Sequence, residues 1–254
     1  GTGTASFSEF NPLFTSDGYT VQLNGMGGEN NTYGGDAIIA AIVGKGAFSV
    51  GYSGFKTDGF RENAGQNDQI FTAFGQYDFS PQTSVQAEYR HRNLKRGDTA
   101  LAFYEDFFFP GQQSKDESDT GRLGFRHAFS PESIVLASVI YQNAKASQTD
   151  NQLAEPFVSY DITSPAKSLS GEVQYLYRSP QLNVTTGVGY FDVKTHLDTT
   201  FNLFFPPPDG DGEFVFQDTT KLDVRHLNLY AYAYYKPVEN LNLTAGISAD
   251  YLNG

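Results

Sequence analysis

The sequence predicts an antiparallel, up-and-down transmembrane β-barrel, or a large part of one, over residues 19–254. Three observations predict it. Runs of about ten residues alternate apolar and polar side chains, the two-residue period of a strand with one apolar and one wet face. Short turns built on Pro81, Pro131, Pro180 and Pro237 join such runs and recur about every fifty residues. Between those turns lie polar loops of about ten to thirty residues, so the two ends of the strands differ.

Taken in order, residues 1–18 are a polar lead-in with apolar anchors Phe7, Phe10, Leu13 and Phe14, and they stay unassigned. Tyr19, Val21 and Leu23 against Thr20, Gln22 and Asn24 give the first clear strand. A Gly/Asn loop from Gly27 to Gly35 leads to Asp36–Val43, apolar on both faces, and Gly44-Lys45-Gly46 is a tight turn. Phe48, Val50 and Tyr52 then alternate with Ser49, Gly51 and Ser53. After a polar loop from Lys56 to Asp68, Ile70–Phe79 runs into Ser80-Pro81-Gln82-Thr83, where the fixed φ of Pro81 suits the second position of a turn. The strand beyond it puts Val85, Ala87 and Tyr89 on one face and Gln86, Glu88, Arg90 and Arg92 on the other.

The pattern repeats. Asn93–Ser118 reads as a long loop carrying Phe103, Tyr104, Phe107, Phe108 and Phe109. Arg122–His127 and Ile134–Gln142 flank the Pro131 turn, and Asn143–Pro165 reads as a second long loop. Glu172–Arg178 and Asn183–Tyr190 flank the Pro180 turn. Thr195–Leu222 reads as the longest loop and holds Phe201, Phe204 and Phe205. Leu227–Tyr234 and Leu241–Tyr251 flank the Pro237 turn, which brings the total to about eleven strands.

Composition narrows the class. The 254 residues contain no cysteine, so a disulfide framework or thiolate metal site is excluded. A net charge of -12 argues against nucleic acid as a partner. No apolar run approaches the roughly 20 residues of a membrane-spanning helix. Gly1-Thr2-Gly3-Thr4 is not a signal peptide, and the chain stops just as a strand finishes, so a mature form or fragment, clipped after Gly254, is expected.

The faces point to lipid outside and water inside. Mid-strand apolar positions are small or medium, such as Ala231, Ala233, Ala245 and Ala249, while Tyr77, Phe79, Phe129, Tyr175, Tyr177 and Tyr235 sit near the turns, where an interfacial aromatic belt belongs. The opposite face holds Glu88, Arg90, Arg92, Arg122, Arg126, Glu172 and Arg178, charges that a dry core could not bury alone but a wet lumen holds.

The Ser-Pro turns, tyrosine-ended strands and long acidic loops resemble Gram-negative outer-membrane β-barrel proteins, over about Tyr19 to Tyr251. Thr57–Asn63 with Ser84–Arg90 is similar to barrel regions of large receptor- or export-type outer-membrane proteins, some carrying helical repeat modules upstream. The resemblance implies a bacterial outer-membrane location. Two departures are the absence of Trp and the lack of a terminal aromatic residue.

Two constellations are candidate sites. The arginines Arg90, Arg92, Arg122 and Arg126 form either a basic ladder toward an anionic solute or, the stronger reading, charge paired with Glu88 and Glu172. The loop aromatics pack on each other, narrow the lumen or meet a partner. Asp209 and Asp211, separated by one glycine, form a solvated turn rather than a calcium site, because the twelve-residue pattern of a calcium loop is missing. His91, His127, His196 and His226 lack ligand spacing, so no metal is expected. No catalytic motif or cofactor signature occurs, so no enzyme is expected. The expected function is a conduit for a hydrophilic solute or exported polymer. The alternative is a surface receptor or anchoring barrel that binds a protein through its aromatic loops. Outer-membrane lipid is expected as a partner in both, beside a solute, polymer or protein at the long loops.

Overall fold

The computed structural model describes residues 17–101, 108–153, 156–205 and 212–253. They form one eleven-stranded sheet in which every strand pairs antiparallel with its sequence neighbours. The strands are β1 (Gly18–Gly28), β2 (Thr32–Val43), β3 (Gly46–Thr57), β4 (Gln66–Ser80), β5 (Thr83–Arg96), β6 (Gln113–Ala128), β7 (Ser133–Asp150), β8 (Phe157–Arg178), β9 (Leu182–Phe205), β10 (Gly212–Val238) and β11 (Leu241–Asn253).

The proline turns fold as their chemistry requires. Ser80 Oγ accepts hydrogen bonds from the backbone N–H groups of Gln82 (3.2 Å) and Thr83 (3.1 Å). Ser130 Oγ accepts from Glu132 N, and Ser179 Oγ from Leu182 N. In each the serine hydroxyl replaces a backbone acceptor while proline presets the bend. A turn carbonyl then serves the next hairpin: Gln82 O accepts from Ala128 N, Glu132 O from Arg178 N and Gln181 O from Lys236 N. The short turns are thereby stitched into one rim. The three-residue loop at the other end of β1 uses Asn30 and Asn31 at positive φ (54° and 55°), a conformation asparagine tolerates.

Strand length differs from the sequence expectation. The strands grow from 11 residues in β1 to 22, 24 and 27 in β8, β9 and β10. Most of Asn143–Pro165 and Thr195–Leu222, expected as loops, is ladder, as are both ends of Asn93–Ser118. The reason is physical. Within the bilayer the alternation puts apolar residues on the belted face; beyond it both faces meet water, and in Asp192-Val193-Lys194-Thr195-His196-Leu197-Asp198 the charged residues stand on the face of Tyr190, so the segment stays extended out of phase with the lipid-facing stretch.

Among the described residues, no second layer covers the apolar face: Leu123 is 64% exposed and Ile247 73%, and the buried apolar residues are only Ala40, Ala41, Ala64, Leu94 and Leu176. A belt near the turns, with Tyr77, Phe79, Phe129 and Tyr235, is matched on the same face by a second belt toward the loops: Tyr52, Phe71, Tyr89, Tyr141, Tyr190 and Tyr251. Two aromatic belts bracketing an aliphatic band define a lipid-facing surface.

Among the described residues, β1 and β11 each keep one edge without a strand partner. Backbone groups in hydrocarbon must be paired, so this sheet is part of a barrel wall. Because eleven alternating strands leave β1 and β11 running in the same direction, antiparallel closure takes an odd number of further strands.

Candidate functional site

Cross-strand register shows which residues share the inner face. Glu88 pairs with Arg122, Arg90 with Thr72 and Thr120, Arg92 with Ser118, and Ser84 with Arg126. Following the ladder through Thr120, Gln142 and Ser168 places Glu172 and Arg178 on that same face. All seven charged candidates therefore face away from the aromatic belts.

They are not equivalent. Arg92 forks onto Asp68, with Nε donating to Oδ1 (2.9 Å) and Nη2 to Oδ2 (2.7 Å). That bidentate geometry is the strong form of an arginine–carboxylate pair. Arg122 Nη1 stands 3.9 Å from Glu88 Oε2, and both side chains are largely buried. Among the described residues, Arg90, Arg126 and Arg178 form no ion pair and no side-chain hydrogen bond. Glu172 accepts a short hydrogen bond from the Tyr230 hydroxyl, and Gln174 Nε2 donates to that same phenol oxygen (2.8 Å).

Glycines make room for these contacts. Gly187 stands between Gln174 and Tyr230 in register, and a Cβ there would meet Tyr230 Oη at 2.6 Å. Gly124 lies likewise under Gln86, whose Cγ would stand 2.7 Å from an added Cβ. Sequence reasoning missed Tyr230, Gln174 and Gln86 as inner-face partners. The signal was the pairing of glycines at inner-face positions with large polar residues on the next strand, which register alone brings together.

Toward the outer end, Phe201 of β9 packs with Phe157 (ring centroids 6.1 Å), Tyr160 (6.1 Å) and Phe216 (6.5 Å). Phe201, Phe204 and Phe205, expected in a loop, are strand residues. Phe103, Tyr104, Phe107, Asp209 and Asp211 lie outside the described residues.

A second cluster joins two connections. Arg61, between β3 and β4, pairs with Asp98 beyond β5 (3.3 Å), donates to Ala100 O (2.8 Å) and covers the Phe108 ring at 4.7 Å. Asn63 Nδ2 donates to the carbonyls of Phe109 (2.7 Å) and Gln112 (2.8 Å). Burial would raise the Asp98 carboxyl, but hydrogen bonds from Phe109 N, Ala100 N and Arg61 outweigh it and hold it below its ordinary range.

An open antiparallel sheet with one belted apolar face and one charged face defines the class: this is the wall of a bacterial outer-membrane β-barrel. Comparison with known proteins agrees. No protein-family model matches the chain, and no curated protein does. Solved structures do. The ferric yersiniabactin uptake receptor FyuA from Yersinia pestis superposes with a TM-score of 0.74 at 10% identity, over 95% of this chain and 44% of that one. The copper transporter OprC gives 0.71 at 13%, over 95% and 37%. The siderophore receptor PiuA from Acinetobacter baumannii gives 0.65 at 10%, over 94% and 46%. The chain thus spans less than half the length of these structures.

Proposed function

We propose that this chain forms part of the wall of an outer-membrane receptor or transporter, and that its inner face meets a hydrophilic, anionic solute. Outer-membrane transporters of this architecture close with about 22 strands around a plugged lumen, of which eleven strands make about half. The observation that carries the reading is the presence of Arg90 and Arg126, cations on the inner face beside ion pairs that satisfy their neighbours. Glu88 is shared between Arg122 and Arg90, so positive charge outnumbers negative here and raises the potential of a narrow, low-dielectric passage. The similar structures are described as receptors or transporters for copper, siderophores and ferric chelates, which suits an anionic metal chelate as the solute here.

The test uses the intact protein in detergent. Titration with ferric chelates of graded negative charge should give saturable binding that weakens several-fold in Arg90→Gln and Arg126→Gln and falls with ionic strength. Binding indifferent to both substitutions and to salt would overturn the reading. The anchoring alternative has less support, since Phe201 spends its ring on Phe157, Tyr160 and Phe216.

A further inference from the structure

The most buried large side chain among the described residues is Asp150, at the outer end of β7, with 1% of its surface exposed. Its Oδ1 accepts from Gln152 N (2.9 Å), and its Oδ2 has no hydrogen-bond partner. It lines a recess of about 490 Å³ between the ends of β7, β8 and β9 and the start of β6. Among the described residues, no lysine, arginine or histidine lines that recess, and Asp161 adds a second carboxylate.

A buried carboxylate oxygen with nothing to accept is expensive, and none of the described groups around it is cationic. They are oxygen-rich and neutral: Asn151, Gln152, Ser159, Tyr160 and Asn202. Asn202 spends its Nδ2 on Ser159 Oγ (2.7 Å), which leaves its carbonyl oxygen as an acceptor. Tyr160 already accepts from Gln148 Nε2 (2.8 Å). Gly111 closes over Asp150, where an added Cβ would stand 2.4 Å from Asp150 Oδ1 and 3.0 Å from Asn151 Oδ1.

We infer that this recess is a binding site for a hard divalent cation of the calcium class, anchored by Asp150 and completed by amide and hydroxyl oxygens and water. The donor set selects the ion. Calcium accepts six to eight oxygens in irregular geometry, magnesium demands a small octahedron, and no imidazole or thiolate is present for softer metals. Among the described residues no three His, Cys, Asp or Glu side chains gather at one point, so the site is of the weak kind, with one buried carboxylate rather than a cage of them. Calcium sites of extracellular modules bind with dissociation constants of about 0.1–1 mM, which suits the outer end of the strands. Binding would tie the ends of β7, β8 and β9 into one rigid rim.

The site is tested on the intact protein in detergent by terbium luminescence sensitised by nearby tyrosine, with calcium and magnesium as competitors. A saturable signal displaced by millimolar calcium but not by equal magnesium is expected. It should fall at least tenfold in apparent affinity in Asp150→Asn and several-fold in Asn151→Ala, while Asp36→Asn, remote on β2, leaves it unchanged. Absence of saturable binding below about 5 mM calcium, or binding that survives Asp150→Asn, overturns the inference. Should Asp150→Asn fail to assemble, Asn151→Ala decides alone, and an unchanged affinity there is a negative result.

Discussion

Tyr230 on β10 lies across Gly187 on β9 and donates its hydroxyl to Glu172 on β8. The contact spans three strands and exists only because the middle one carries no side chain at that point. Gly187→Ala would press a methyl against Tyr230 Oη at 2.6 Å and the Val173 carbonyl at 2.8 Å. Overpacking of this kind costs about 1–3 kcal/mol. Gly189→Ala, two residues on and with nothing within 4 Å, should cost far less. Tyr230→Phe removes the hydrogen bond without the clash and should cost about 1 kcal/mol. Urea titration of the folded protein, read by heat-modifiable gel mobility, ranks the three. Equal stability for both alanine variants would contradict the crossing.

The Arg92–Asp68 fork makes a separable expectation. Arg92 is 40% exposed, so the pair is screened, and its coupling in a double-mutant cycle should be about 1 kcal/mol or less. The two-point geometry is what lysine cannot reproduce. Arg92→Lys should therefore lose most of the coupling while keeping the charge. A coupling that survives in Arg92→Lys would show simple charge proximity instead.

The junction of Arg61 and Asp98 should be acid-sensitive. The Asp98 carboxyl is held below its unfolded value, so it binds fewer protons folded than unfolded. Its stabilisation is then complete above the ordinary aspartate range, about pH 4, and is lost as pH falls through the lower folded value. The protection factors of the Gly97 and Ala100 amides, large at neutral pH, should fall below about pH 4. Asp98→Asn should show low protection at every pH, because it breaks a largely buried pair. A loss of protection near neutrality would assign the effect elsewhere.

How much of this was legible in the sequence depends on the solvent at each point of each strand. Between the belts, Val85-Gln86-Ala87-Glu88-Tyr89 and Leu243-Thr244-Ala245-Gly246-Ile247 announce lipid on one side and water on the other. The Ser-Pro turns were readable because their capping hydrogen bonds are local. The outer halves of β8, β9 and β10 were not, since water on both sides lets the residue pattern fall out of phase with the lipid-facing stretch while the ladder itself continues. The inner-face charges could be named from alternation. Their partners could not, because Asp68 with Arg92 and Glu172 with Tyr230 are joined by register across strands distant in sequence. Asp150 gave no signal at all, as its burial comes from Gly111 and Gln152 closing over it.

Two adjacent residues of β7 put the assignment of faces to its sharpest test. Val139 is 49% exposed on the belted face, in the span between Val135, opposite Tyr175, and Tyr141. Ser138 is next to it on the inner face, opposite Glu172 and Gly124. An arginine at the lipid midplane of a barrel costs about 2–4 kcal/mol, whereas a wet lumen tolerates it. Val139→Arg should therefore destabilise the protein refolded into vesicles by about that amount. Ser138→Arg should change stability by less than about 1 kcal/mol, helped by the carboxylate opposite. In detergent micelles, where a snorkelling arginine reaches water sooner, the gap between the two variants should narrow. A reversed order in vesicles would mean that the aromatic belts face the lumen, and the inner-face charges, the proposed solute path and the wall assignment would all have to be turned inside out.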